Sequence, residues 1–171
     1  MAGDLQFLWE LGGAGWASCR IADGTGEYQG HVGYGTDALA DLLHAVTGLY
    51  GGASEQRVSF DLEPMELRWL FRRRESDVSI GVYEFPDGAT SWGSPDETGG
   101  TLAWSSSQPR GALGHAVREA AETVLREHGE DGYREKWMLH PFPVAALQDL
   151  RRLHQRDDGC RHESCRGGSG G

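Results

Sequence analysis

The stretch from Val58 to Phe85 constrains the fold more than any other part of this chain. It reads VSFDLEPMELRWLFRRRESDVSIGVYEF, and its apolar residues alternate with polar ones in three consecutive runs. Alternation with a period of two is typical of a strand that buries one face. Short polar breaks separate the runs, so the pattern predicts an antiparallel meander of three strands. The alternating apolar residues are Val58, Phe60, Leu62, Leu67, Trp69, Phe71, Val78, Ile80 and Val82.

The meander also predicts how its strands pair. If Pro64 and Met65 connect the first two strands, Asp61 lies opposite Arg68, which predicts a cross-strand ion pair. A second turn at residues 75–76 sets the register of the next hairpin. The apolar pairs predicted in this way are Leu62 with Leu67, Phe60 with Trp69, Val58 with Phe71, Phe71 with Ile80, and Trp69 with Val82. The polar face of the meander then carries Asp61, Arg68, Leu70, Arg72 and Tyr83.

Periodicity elsewhere in the chain predicts the remaining elements. Strands are expected at 5–11, 16–22, 27–34 and 101–106. Helices are expected from Thr36 to Tyr50, from about Gly111 to His128, around 133–139 and from Pro143 onward. The prediction is a single α+β domain over residues 1–155, in the order three strands, helix, four strands, helices. Six or seven antiparallel strands would form one strongly bent sheet, with the helices packed on one face.

Residues 156–171 have no apolar pattern and are rich in Gly, which predicts a disordered tail. Cys160, His162 and Cys165 lie in this tail, with His154 just before it. Zinc sites usually present their ligands as two separate knuckles, whereas these residues form a single cluster. We therefore predict a solvated tail and no metal site, with a zinc-binding tail as the alternative. The cysteine count of 3 is odd, which argues against a disulfide framework.

The net charge of −10 bears on the choice of partner. Nucleic-acid binding needs a basic surface, so an acidic chain is expected to avoid it and to suit a basic protein partner. No apolar run approaches the roughly 20 residues that span a bilayer. The N-terminus, MAGDLQFLWELGG, lacks the basic start of a signal peptide. These observations predict a cytoplasmic protein that does not contact a membrane.

Catalytic motifs are missing from the sequence. It contains no phosphate-binding Gly loop, no HExxH and no GxSxG elbow. The carboxylates Asp61, Glu63 and Glu66 flank an exposed turn, whereas a glycosidase pair needs a cleft. We therefore predict no catalytic residue, no cofactor and no enzymatic activity.

Partner contacts are predicted on the outer face of the meander and in the loop that follows it. Residues 86–100 are rich in Pro, Gly, Ser and Asp, and a loop of this length is often functional. Trp92 lies near its middle, and exposed aromatic residues anchor many interfaces. The predicted partner-binding residues are Arg72, Arg74, Tyr83 and Trp92.

Four segments carry a resemblance to known proteins: WELGGAGWASCRIADG, YGTDALADLL, SFDLEPMELRW and DGYREKWMLHPFP. Over residues 5–155 the chain resembles a group of small actinobacterial proteins of unknown function. Small acidic α+β proteins are also similar to the immunity proteins of bacterial toxin systems. The acidic charge and the missing catalytic motifs predict a non-enzymatic interaction module, and the similarity to immunity proteins implies an immunity-type role. The alternative hypothesis is a small-molecule-binding protein or enzyme with a pocket between the sheet and the helices.

Overall fold

The computed structural model describes residues 4–159, which form seven strands and four helices. Each stretch of period-two alternation becomes a strand, and each stretch of helical spacing becomes a helix. In chain order the elements are β1 (Gln6–Gly13), β2 (Trp16–Ala22), β3 (Glu27–Gly33), α1 (Ala38–Tyr50), β4 (Glu55–Leu62), β5 (Met65–Arg74), β6 (Asp77–Phe85), α2 (Gly88–Ser91), β7 (Thr101–Pro109), α3 (Arg110–Trp137) and α4 (Val144–Asp158).

The strands form two antiparallel sheets, in the orders β1-β2-β3 and β4-β5-β6-β7. The prediction of one bent sheet of six or seven strands is therefore wrong, although the α+β class is confirmed. Strands β3 and β4 lie close together but do not form a ladder. Alternation identifies a strand and its buried face, but it carries no information on which edges pair across a helical connection.

The register of the first meander hairpin also differs from the prediction. Leu62 pairs with Met65 and Ser59 pairs with Arg68, so the turn consists of Glu63 and Pro64 rather than Pro64 and Met65. Both registers keep the apolar residues on the same face, because they differ by two positions. In the second hairpin, Phe71 pairs with Ile80 and Trp69 with Val82, as predicted.

The long helices cover one side of the two sheets. Helix α3 lies along β1, α1 packs on β4, and α4 packs on both helices. An aromatic cluster joins the sheets to α3: the Trp9 ring centroid lies 6.2 Å from Phe60 and 6.4 Å from Trp137. Burying each such side chain contributes on the order of 1.5–3 kcal/mol. The short α2 lies on the opposite side of the second sheet, so the helices are not all on one face.

Helix α3 is longer than predicted, and α4 reaches further toward the C-terminus. Gly129, with a φ of 66°, interrupts α3 at the place where the sequence predicted its end. Helix α4 continues to Asp158, so residues 156–158 are helical. The candidate ligands Cys160, His162 and Cys165 lie outside the described residues.

Candidate functional site

Residues 86–100, here called the strap, fold over the outer face of the second sheet. Arg68 projects from the centre of this face and is 0% exposed. Its guanidinium donates hydrogen bonds to the Ser91 carbonyl at 2.7 Å, to Ser94 Oγ at 3.1 Å and to the Asp96 carbonyl. The strap is therefore an ordered cover held by a buried cation, and the outer face predicted to contact a partner is largely occupied by the chain itself.

The counter-ion of Arg68 is Glu66, not Asp61 as the sequence predicted. Glu66 is also 0% exposed, and both of its oxygens accept hydrogen bonds from Arg68 at 2.8 Å. Burial alone would raise the pKa of Glu66, but hydrogen bonds from Arg68, Ser59 and Ser91 outweigh it and hold the pKa below its ordinary range. Residues two apart in a strand share a face, so the spacing of Glu66 and Arg68 could have predicted this pair from the sequence.

The four predicted partner-binding residues do not form one site. Arg72 binds Glu97 of the strap and Glu55, and these hydrogen bonds raise its pKa further. Arg74 lies at the far end of β5, paired in register with Asp77. The half-buried Tyr83 packs against Gly81. Trp92 is 39% exposed and lies at the other end of the sheet. Their binding roles stay predictions.

Five segments meet at the end of the molecule where Trp92 lies; together they are called the loop end here. They are residues 13–16, 34–37, 63–65, 86–92 and 136–140. The β1–β2 turn contacts the last turn of α3, because the Gly15 amide donates a hydrogen bond to the Lys136 carbonyl at 2.8 Å. The Tyr34 ring lies against Gly15, where an added Cβ would be 2.3 Å from Tyr34 Cδ1. Gly15 also has a φ of +78°, so this position requires glycine.

Further contacts join the remaining segments of the loop end. A Cβ on Gly35 would lie 3.0 Å from Asp61 Oδ2, which places the β3–α1 connection against the end of β4. The Gly88 amide donates to the Pro64 carbonyl at 2.7 Å, which attaches the strap to the β4–β5 turn. These contacts link segments that are distant in sequence into one continuous surface.

Large exposed apolar side chains concentrate on this surface. Trp16 is 49% exposed, with its ring beside Gly33, and Gly33 also lies against the end of β4. Of the exposed large apolar residues among 4–159, Leu8 and Leu102 lie elsewhere. Those at the loop end are Trp16, Tyr34, Met65, Trp92, Met138 and Leu139.

Trp92 separates two open grooves at the loop end. The first has a volume of about 390 Å³ and runs between the β3–α1 connection, the β4–β5 turn and the start of the strap. The second, of about 350 Å³, lies between α1 and β4. Arg57 holds Trp92 in place by donating hydrogen bonds to the carbonyls of Trp92, at 2.8 Å, and Ser94.

Carboxylates line both grooves. Asp61, Glu63 and Asp87 line the first groove, and Asp41 lines the second. Asp61 accepts a hydrogen bond from the Glu63 amide at 3.0 Å, and Asp87 caps α2 by accepting from the Ala89 amide at 3.1 Å. Burial, followed by the nearby charge of Asp37, raises the pKa of Asp41 above its ordinary value.

A second cluster of titratable residues lies between the helices. The Tyr50 hydroxyl and Asp158 Oδ2 each lie 3.1 Å from His154 Nδ1, and Tyr50 donates a hydrogen bond to Asp158. Arg110 pairs with Asp158 at 3.3 Å and stacks on the Tyr50 ring. The cluster joins α1, α3 and α4 in the helical layer, and we assign it a structural role.

Residues 4–159 contain no group of three or more His, Cys, Asp or Glu side chains placed to hold a metal ion. No helix within the described residues has the length and apolar character needed to cross a membrane.

No family model, curated protein or solved structure matches the chain. The resemblance to small actinobacterial proteins and to immunity proteins therefore stays a prediction.

Proposed function

We propose that this chain is a non-enzymatic module that binds another protein through the loop end. The observation that carries the proposal is the concentration of exposed aromatic and aliphatic side chains on five converging segments. Contiguous exposed apolar patches larger than roughly a few hundred Å² are uncommon on monomeric proteins and typically mark an interaction site. Trp and Tyr are the residue types that contribute most to binding energy at interfaces.

The rigidity of this surface supports the same proposal. Arg57 and Arg68 both donate to strap carbonyls, so Trp92 is held on a hydrogen-bonded frame. Gly15 and Gly35 allow close packing of the neighbouring turns. A preorganised surface loses less conformational entropy on binding than a mobile one. An immunity-type role is one form of this function and stays a prediction.

The alternative of a small-molecule pocket between sheet and helices has less support. Side chains of the core fill the space that such a pocket would need, among them Phe60, Trp69 and Leu43, each 0% exposed. The two grooves beside Trp92 lie on the surface. Their position suits contact with a protein better than enclosure of a cofactor.

Site-specific cross-linking tests the proposal. The photoreactive residue p-benzoylphenylalanine replaces Trp16, Tyr34 or Leu139 in the full chain, expressed in the cells that encode it. Leu8 and Leu102 provide matched control positions, because they are 50% and 51% exposed and lie outside the loop end. We expect protein adducts of one defined mass from the loop-end positions only.

Binding of the cross-linked protein, once purified, provides the second measurement. Trp16→Ala and Tyr34→Ala are each expected to weaken binding about 30-fold, the equivalent of roughly 2 kcal/mol for an interface anchor. Leu8→Ala and Leu102→Ala should change it less than threefold. Urea denaturation of each variant verifies that it is folded. Adducts of equal intensity at the control positions, or none at the loop end, would refute the proposal.

A further inference from the structure

The first groove beside Trp92 combines an exposed indole with uncompensated negative charge. Its lining includes Asp61, Glu63 and Asp87 and no basic side chain. Among residues 4–159, none of these three carboxylates forms a salt bridge. Glu66 and Glu97, by contrast, are each paired with an arginine.

The chemistry that complements this groove is that of a cationic side chain. A guanidinium or ammonium group is attracted to the face of an indole and gains further when carboxylates lie beside it. The volume of about 390 Å³ is at the lower end of ligand pockets, which suits a side chain with its flanking backbone rather than a large cofactor. The groove also opens on the apolar surface of the loop end.

We propose that this groove receives an arginine or lysine side chain from a basic segment of the protein partner. The cation would stack on Trp92 and pair with Asp61 and Glu63, while flanking apolar residues of the partner contact Trp16 and Tyr34. This inference rests on the proposed function, and it adds the chemical class of the partner and the groove that recognises it.

The second groove, on the other side of Trp92, carries mixed charge. Asp41 and His44 line it on the α1 side, and Arg57 lines it on the β4 side. Arg57 donates to the carbonyls of Trp92 and Ser94, which are neutral and leave its positive charge in place. A cation of the partner is therefore expected in the first groove rather than in the second.

A titration with defined peptides tests this inference. The probe is the acetylated and amidated peptide GRGRGRG, compared with GKGKGKG, with GQGQGQG and with spermidine. Two-dimensional NMR of the ¹⁵N-labelled full chain follows binding, and Trp92→Phe assigns the Trp92 indole signal. We expect the arginine and lysine peptides to shift signals around the first groove, and the glutamine peptide to bind at least tenfold more weakly.

Variants that lose the same charge distinguish binding at the groove from general attraction to an acidic protein. Asp61→Asn with Glu63→Gln, and separately Trp92→Ala, should each weaken binding of the arginine peptide at least tenfold. The control, Glu75→Gln with Asp77→Asn, removes the same charge from the exposed turn at the opposite end of β5 and should change affinity less than twofold.

Three outcomes would overturn the inference. They are an equal effect of the control pair, signal shifts spread over the whole acidic surface, and binding of spermidine to the groove as tight as that of the peptides. Each of them leaves the proposed function standing if loop-end cross-linking succeeds. Failure of the cross-linking removes the proposed function itself, so the two failures are distinguishable.

Discussion

Removing the buried guanidinium of Arg68 is the most informative perturbation of this structure. Arg68 and Glu66 are both 0% exposed and joined by hydrogen bonds of 2.8 Å, so Arg68→Met leaves a buried carboxylate without its counter-ion. Breaking a buried ion pair from one side typically costs about 3–5 kcal/mol. Ser59 and Ser91 still donate to Glu66 at 2.7 Å, which places the expected loss near 3 kcal/mol, at the lower end of the range.

Urea denaturation of the full chain at pH 7 measures this loss. The double variant Glu66→Leu with Arg68→Met removes both charges and should recover most of the stability, because an apolar pair of similar volume is often neutral in place of a buried ion pair. The exposed pair provides the control: Arg72→Met removes a guanidinium whose side chain is 31% exposed, and should cost less than about 1 kcal/mol.

Hydrogen exchange measures the local stability of the strap separately from the global stability of the chain. Arg68 donates to the carbonyls of Ser91 and Asp96, so the double variant should regain global stability but leave the amides of residues 88–98 exchanging faster than in the natural chain. A loss below about 1 kcal/mol in Arg68→Met, or a strap that stays protected in both variants, would refute the argument that this buried cation holds the strap.

Three further predictions address other parts of the fold. Hydrogen bonds from Ser106 and Thr25 lower the pKa of Asp23 from 3.8 to about 2, so it contributes stability that is present above pH 3.8 and lost as the pH falls toward 2; Asp23→Asn should flatten the fall in urea midpoint over that interval. Gly114→Ala should lower the free energy of unfolding in urea by about 1–3 kcal/mol, because the added Cβ would lie 2.2 Å from a tyrosine hydroxyl. The control Gly132→Ala, whose Cβ would have its nearest contact at 3.4 Å, should be neutral or stabilising. Burial raises the pKa of the Cys19 thiol from 9.0 to about 12, which lowers the fraction of reactive thiolate at pH 8. In a variant whose two C-terminal cysteines are changed to serine, Cys19 should therefore react with iodoacetamide about a thousandfold more slowly in the folded than in the unfolded chain. Equal rates would contradict this.

Much of the fold was readable from the sequence. The strands of the meander, the helix that follows Thr36 and the second hairpin register all follow from local periodicity, which depends on residues only two to four positions apart. The first hairpin register was missed because alternation is unchanged by a shift of two residues, and the turn at Glu63 and Pro64 decided between the alternatives.

The candidate site was readable only in part. Trp92 stood out as an aromatic residue in a polar loop, and the structure places it on an exposed surface. Trp16 and Leu139 did not stand out, because each looks ordinary in its own segment. Their two segments are joined by the hydrogen bond from Gly15 to Lys136, which links residues more than a hundred positions apart.

The sequence by itself determined the strands, the helices and the faces that are buried, because hydrophobic periodicity is a local property that burial enforces. Only the tertiary structure decided that the strands divide into two sheets, that Glu66 is the partner of Arg68, and that five connections meet at the loop end. Those features result from packing between distant segments, and such contacts produce no periodic pattern in the sequence.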